Sequence, residues 1–234
     1  MAKRQPFLWA YIGHTGTGKT STAIQTAKDW KKAYKGQKII GFDPHDILRK
    51  EKLLDYYISA KDKNWAEMIM TQICVTCKKA KDPEKERCKK CGKNNFIYKF
   101  ANSLLILDDY RSLLQSDRTE TDVMDLLMLR RRIGLDWIYV CHNPKFILNG
   151  FAPFTTHYSI FYNESHPSNF SEKIPKSSDC RKASNLVNQY VMEFGRGSYP
   201  TFPYVLVRPE TSDELELINM DSDKIEVLRA GGKI

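Results

Sequence analysis

Residues Gly13-His14-Thr15-Gly16-Thr17-Gly18-Lys19-Thr20 have the spacing GxxxxGK[ST], with glycines where a backbone could turn its N–H groups inward around a polyphosphate. An apolar run, Leu8 to Ile12, precedes the motif and a helical stretch, Lys19 to Tyr34, follows it, which is the strand-loop-helix context the chemistry requires. The helix N-terminus adds a dipole that favours anions. Lys19 is placed to reach the β and γ phosphates of a nucleotide, and the Thr20 hydroxyl to ligate Mg²⁺. Gly13, His14, Thr15, Gly16, Thr17, Gly18, Lys19, Thr20 and Ser21 are therefore the expected ATP-binding residues.

A second apolar run, Leu104-Leu105-Ile106-Leu107, ends in Asp108-Asp109. A carboxylate at the tip of a buried strand can hold the Mg²⁺ shell, and one beside it can take a proton from an attacking water. Asp108 is assigned to the metal and Asp109 to the water. Cys74-x2-Cys77, then ten residues, then Cys88-x2-Cys91-Gly92, supplies four thiolates at knuckle spacing, suited to tetrahedral Zn²⁺. An iron–sulfur cluster is the competing metal, disfavoured by the Lys-rich loop and the Cys-Lys-Lys-Cys-Gly turn. Cys141 and Cys180 read as ordinary residues.

These groups need a scaffold. The 234 residues suffice for one sizeable domain with a small insertion. Apolar, β-rich runs occur at Leu8 to Ile12, Lys38 to Phe42, Leu104 to Leu107, Trp137 to Cys141 and Tyr158 to Tyr162. Several lack in/out alternation, as strands buried on both faces do. Helical stretches at Lys19 to Tyr34 and Asp122 to Arg132 lie between them. The pattern predicts a mainly parallel α/β sheet covered by helices on both faces. Asp46 to Met70 also reads as helical, with Leu48, Leu53, Leu54 and Tyr57 as a partial stripe. Residues 74–93 are expected to form an inserted zinc-binding subdomain within an ATPase domain of residues 1–73 and 94–234. Near the end, a helix is expected at Lys182 to Phe194, strands at Tyr204 to Arg208 and Glu214 to Asn219 as an addition to the sheet edge, and a frayed tail at Ala230 to Ile234.

The net charge of +9 points to a polyanionic partner, nucleic acid or an acidic membrane surface. The insertion concentrates it: Lys78, Lys79, Lys81, Lys85, Arg87, Lys89, Lys90 and Lys93 face only Asp82, Glu84 and Glu86. Such a knob could touch DNA phosphates nonspecifically, be a solvated staple, or dock another protein. No stretch approaches the ~20 apolar residues of a membrane span, and the start reads as a buried first strand, not a signal peptide.

By the order of these motifs, about the first 165 residues resemble the FtsK/HerA superfamily of DNA-pumping ATPases, in particular the genome-packaging ATPases of membrane-containing icosahedral viruses. Asp43-Pro44-His45 after the second strand is similar to the Asp-Pro-His of HerA-like proteins. Asp109 stands where the family has a catalytic glutamate, and His142, in Val140-Cys141-His142-Asn143-Pro144, where it has a sensor glutamine. The resemblance implies a RecA-like P-loop core, ATP hydrolysis coupled to DNA translocation, a homo-oligomeric ring, capsid vertex proteins as partners, and a location in the host cytoplasm or the virion. It also implies an arginine finger near Arg130-Arg131-Arg132 acting on the neighbouring subunit, with Arg132 ahead of Arg131; surface charge or a DNA contact explains an Arg run at a helix end equally well.

Two other readings stand beside the motor. Zinc-containing nucleoside or nucleotide kinases also combine a P-loop with two CxxC pairs, but place the cysteines after the carboxylate strand, whereas here Cys91 precedes Asp108. A filamentous-phage assembly ATPase resembling the zonular occludens toxin family would have nearly the same fold, although such proteins usually carry a membrane span.

Overall fold

A strand that is apolar on both faces is driven to the middle of a sheet, and the strand before the glycine loop sits there. In the computed structural model, which describes residues 5–59, 61, 62, 64–109, 113, 117–147, 150–198, 200–209 and 215–234, β1 (Leu8–Ile12) pairs in parallel with β7 (Asp136–Cys141) on one side and β8 (His157–Phe161) on the other. Beyond β7 come β6 (Leu104–Asp108), β2 (Ile39–Phe42) and β3 (Tyr56–Ile58), all parallel. Beyond β8, β9 (Tyr204–Val207) and β10 (Glu216–Ile218) extend the edge in antiparallel fashion. The order is β10-β9-β8-β1-β7-β6-β2-β3. The expected addition to the sheet edge is thus present; Glu214, the first residue of its second expected strand, lies outside the described residues.

Side-chain alternation along the strands builds two cores. Tyr11, Ile39, Leu104, Ile106, Ile138 and Val140 pack on one face with α1 (Lys19–Ala33). Leu8, Ala10, Ile12, Leu105, Leu107, Trp137 and Tyr139 pack on the other. That face is covered by α3 (Trp65–Met70), α4 (Asp117–Ile133) and α5 (Ser177–Phe194). A last helix, α6 (Ser222–Ala230), not among the elements expected from the sequence, rests Ile225 and Leu228 against Tyr190 of α5. A two-stranded hairpin, β4 (Gln72–Cys74) with β5 (Phe96–Tyr98), carries the cysteine segment between β3 and β6.

One expected element is wrong. Asp46 to Met70 is not a helix: only α2 (Ile47–Lys50) and α3 are helical, with β3 between them. Lys52 adopts φ 51°, which stops the first helix. Leu54 then packs onto Gly41, where an added Cβ would lie 2.6 Å from it. Tyr56-Tyr57-Ile58 pair with Ile40-Gly41-Phe42. Pairing with a partner strand overrides a partial helical stripe.

Two buried polar groups tie the sheet to its surroundings. The Asp136 carboxylate accepts from the Phe7 amide (2.9 Å) and from Trp30 Nε1 (2.6 Å), anchoring the far end of α1 to the base of β7. Arg130 is fully buried and donates to the carbonyls of Pro6 (2.9 Å) and Phe154 (3.0 Å).

On the strand β8 edge, His157 stacks on Trp9 with ring centroids 4.8 Å apart. Burial, with repulsion from Arg208, holds its imidazole down to about 4, against 6.5 for a free histidine. The unfolded chain therefore takes up the proton first as pH falls. The contribution is intact above pH 6.5 and is lost as pH drops from 6.5 towards 4. Urea denaturation should show the wild type losing stability across that window relative to His157→Phe, with parallel curves above pH 7; parallel curves throughout would mean that the ring charges freely when folded.

Candidate active site and metal centre

The glycine loop begins at the C-terminal edge of the sheet, gripped from both sides. Gly13 N donates to Cys141 O (3.2 Å) at the end of β7, and His14 N donates to Tyr162 O (2.8 Å) just past β8. An added Cβ at Gly13 would meet Phe161 Cβ at 2.6 Å, so only glycine lets the loop leave the sheet this closely. Across the loop, Thr17 Oγ1 and Lys19 Nζ each donate to the His14 carbonyl at 2.7 Å. Gly18 is the N-cap of α1 with φ 89°, and Phe202 lies so close that an added Cβ would sit 2.2 Å from its ring. The first amides of α1 lack helical acceptors, as at any helix N-terminus, and no acidic residue stands in the first turn to repel an anion.

The acidic partner arrives from β6. Thr20 Oγ1 donates to Asp108 Oδ2 at 3.1 Å, so two hard oxygen donors meet at one point, which suits Mg²⁺. Asp108 is buried, and desolvation pushes its carboxyl up to about 6, opposed by the Thr20 hydrogen bond and Lys19 and reinforced by Asp43. Desolvation likewise draws the Lys19 ammonium down to about 8. Asp109 follows in the left-handed region (φ 45°), turning the chain away from the strand direction beside Asp108.

The strand order explains where His142 falls. It follows β7, the strand between the loop's β1 and the acid's β6, so it stands between them. Thr15 Oγ1 and His142 Nδ1 are 3.3 Å apart. Burial and the Lys19 charge lower the imidazole below its ordinary value, which keeps it neutral near pH 7. A cavity of about 470 Å³ is lined by Thr15, Gly16, Gly18, Lys19, Thr20, Ser21, Asp108 and His142. His45 and Ile47 complete its rim, although His45 had no assigned role in the sequence. They are presented by Asp43, whose buried carboxylate accepts from His45 N (3.0 Å) and Leu48 N (2.5 Å).

The three arginines part company. Arg130 serves the fold, as described above. Arg131 and Arg132 are exposed at the C-terminal end of α4, where the chain enters β7. They lie at the opposite edge of the sheet from the glycine loop, a β7 length or roughly 20 Å away. Within one chain they do not reach the cavity.

The four cysteines converge. Their sulfurs all lie within 4.8 Å of one another, with Cys74–Cys91 at 3.5 Å and Cys77–Cys88 at 3.4 Å. These separations exceed a disulfide's ~2.05 Å and approach the ~3.75 Å edge of a tetrahedron with ~2.3 Å metal–sulfur bonds. The two knuckles are built alike. Lys78 N donates to Cys74 O and Gly92 N to Cys88 O, while Cys74 N donates to Lys79 O and Cys88 N to Lys93 O, all at 2.8 Å. Lys78 (φ 57°) and Gly92 (φ 70°) occupy the equivalent left-handed position. Amides of Cys77 and Thr76 pull the Cys74 thiol down to about 6, and those of Cys91 and Lys90 lower Cys88, whereas against the Lys93 amide the neighbouring sulfurs and burial push Cys91 up to about 11, so the four thiols share their protons unevenly. Around this centre Lys78, Lys79, Lys85, Arg87, Lys89, Lys90 and Lys93 are exposed.

A sequence profile described as Zonular occludens toxin (Zot) matches residues 9–150. No curated protein sequence matches the chain. Among solved structures, the genome packaging NTPase B204 of Sulfolobus turreted icosahedral virus 2, in complex with sulfate, superposes with a TM-score of 0.61 at 12% identity, covering 91% of this chain and 96% of that one. Its complex with AMPPCP gives 0.60 at the same identity and coverage. EccC of Thermomonospora curvata (ATPases 2 and 3) gives 0.56 at 14% identity, over 92% of this chain and 36% of that one. The shared fold is the RecA-like P-loop core expected from the motifs.

The thiolate geometry makes a prediction about metal. Elemental analysis of protein purified without added metal should give one zinc per chain, and Cys77→Ser combined with Cys91→Ser should abolish it. Iron in place of zinc, or no metal in the wild type, would contradict the tetrahedral zinc assignment.

Proposed function

Because this chain belongs to the zonular occludens toxin (Zot) family and has a P-loop NTPase fold, we propose that it hydrolyses ATP and uses the energy to move DNA, packaging a viral genome into a preformed capsid. The observation that carries this is the 3.1 Å meeting of Thr20 and Asp108 beside Lys19, at the mouth of a loop held open by β7 and β8.

Each residue then has a task. Loop amides and Lys19 cradle the phosphates, with Lys19 neutralising the β and γ oxygens. Thr20 and Asp108 would hold Mg²⁺, which would screen charge on the terminal phosphates. Asp109 orients the attacking water and accepts its proton, and neutral His142 hydrogen-bonds the γ-phosphate or that water. Asp109 is a shorter acid than the glutamate of related motors, so its water must lie closer or be reached through a second one. Arg131 or Arg132, remote from its own cavity, completes the charge balance in a neighbouring subunit, so the active form is a homo-oligomeric ring.

The zinc-stapled knob presents seven exposed cations to DNA phosphates without any base-reading feature, so contacts are nonspecific. Among the described residues no helix is long and apolar enough to cross a membrane. The proposed place of action is the host cytoplasm, at the capsid vertex, and the virion. A filamentous-phage assembly ATPase is the second reading, favoured by the family match over residues 9–150; it differs in where the DNA goes, not in how ATP is used.

ATP hydrolysis should rise on adding duplex DNA, with the stimulation falling steeply as salt increases. Lys19→Ala should reduce turnover by about 10²-fold or more, and mixing Arg132→Ala with Asp109→Asn subunits should restore part of the activity that each lacks alone. DNA-independent hydrolysis, or phosphate transfer to a nucleoside, would contradict the motor. Association of active protein with filling capsids separates packaging from filamentous-phage assembly.

A further inference from the structure

Asp108 and His142 lie on the β7–β6 flank of the loop, which the proposed function gives to the terminal phosphate and its metal. A nucleoside triphosphate is linear, so its base must leave on another side. The opposite flank, at the end of β8, holds a set of planar groups with no role so far. Tyr162 follows β8 and grips the loop through its carbonyl. The guanidinium of Arg196, in the segment after α5, lies 4.7 Å from the centroid of the Tyr162 ring. Glu164 fixes it from the side at 3.4 Å and also approaches His14 Nε2 of the loop at 3.8 Å. Phe202 lies against Gly18 at the start of α1.

The Arg196 side chain is 45% exposed although its guanidinium carbon lies over the Tyr162 ring, so part of the side chain stays open to solvent. A half-exposed guanidinium over an aromatic ring offers a planar group on which a flat heterocycle can stack. Charge alone does not explain the arrangement: a phosphate-binding arginine would turn its N–H fork to the anion, whereas Glu164 engages it here.

We propose that this flank is the nucleoside subsite, where a purine base stacks on Arg196 over Tyr162 while Phe202 walls the side next to Gly18. Glu164 stands between the platform and the loop, 3.4 Å from Arg196 and 3.8 Å from His14 Nε2. Stacking is tolerant of base identity, because every base has a π-face. The site therefore accepts adenine and guanine nucleotides alike. The inference rests on the nucleotide-binding reading of the glycine loop.

Titration calorimetry with MgATP, MgGTP and magnesium tripolyphosphate tests it on the full chain. Wild type should bind ATP and GTP within roughly threefold of each other. Arg196→Ala should weaken both by roughly tenfold and leave tripolyphosphate unchanged; Arg196→Lys, which keeps the charge but not the plane, should weaken both as well. Unaltered nucleotide binding in these variants would overturn the subsite. So would an equal loss for tripolyphosphate, which would make Arg196 a phosphate cation. Wild-type protein that binds none of the three ligands would instead sink the glycine-loop reading, and this proposal with it.

Discussion

The site depends on the loop that opens α1, whose first two residues are held by the strands on either side. Gly13 and His14 are each hydrogen-bonded to a strand end, one on either side of β1. The grip needs β1 in the middle of the sheet, with both flanking strands parallel to it, so that three C-terminal ends reach the same edge. The apolar character of β1, β7 and β6 on both faces is therefore tied to the chemistry, since it is what buries them centrally. Asp136, bonded to both Phe7 and Trp30, fixes the other end of the assembly and with it the helix whose first turn carries Lys19 and Thr20.

Within that frame the charged groups are held away from their comfortable states. Burial pushes the Asp108 carboxyl up and the Lys19 ammonium down, each towards neutrality. A pocket that disfavours its own charges gains when a metal and a polyphosphate supply opposite ones, because ligand charge then substitutes for lost water. The charge of Asp43, just past β2, adds to the effect of burial on Asp108. The buried Asp43 carboxylate also shapes the turn that brings His45 and Ile47 to the rim, so one residue sets both field and wall.

Much of this was legible because it is local. The glycine spacing, the acid at the end of an apolar run and the two CxxC pairs each encode their geometry within a few residues, and the described structure brings Thr20 to Asp108 and the four sulfurs to one another, while Asp109 is not among the residues lining the cavity. What escaped was non-local. The strand β3 exists because β2 offers it a partner and Gly41 leaves room for Leu54; along the chain it looked like helix. Arg130, Arg131 and Arg132 are indistinguishable in sequence, and only the carbonyls of Pro6 and Phe154, far away in the chain, single out Arg130 as structural. Tyr162, Arg196 and Phe202 share no motif, and nothing but the fold places them around one loop.

The zinc-type knuckles and the nucleotide loop belong to different layers of the molecule, joined by the hairpin β4–β5 and by the sheet. All of that is secondary to the pocket itself. A structure of the chain with a non-hydrolysable ATP analogue and Mg²⁺ tests it most directly. The account predicts the metal bonded to Thr20 Oγ1 within reach of Asp108, and Lys19 Nζ between the β and γ phosphates. A nucleotide bound elsewhere, or phosphates in the loop with Asp108 turned away from the metal, would contradict it.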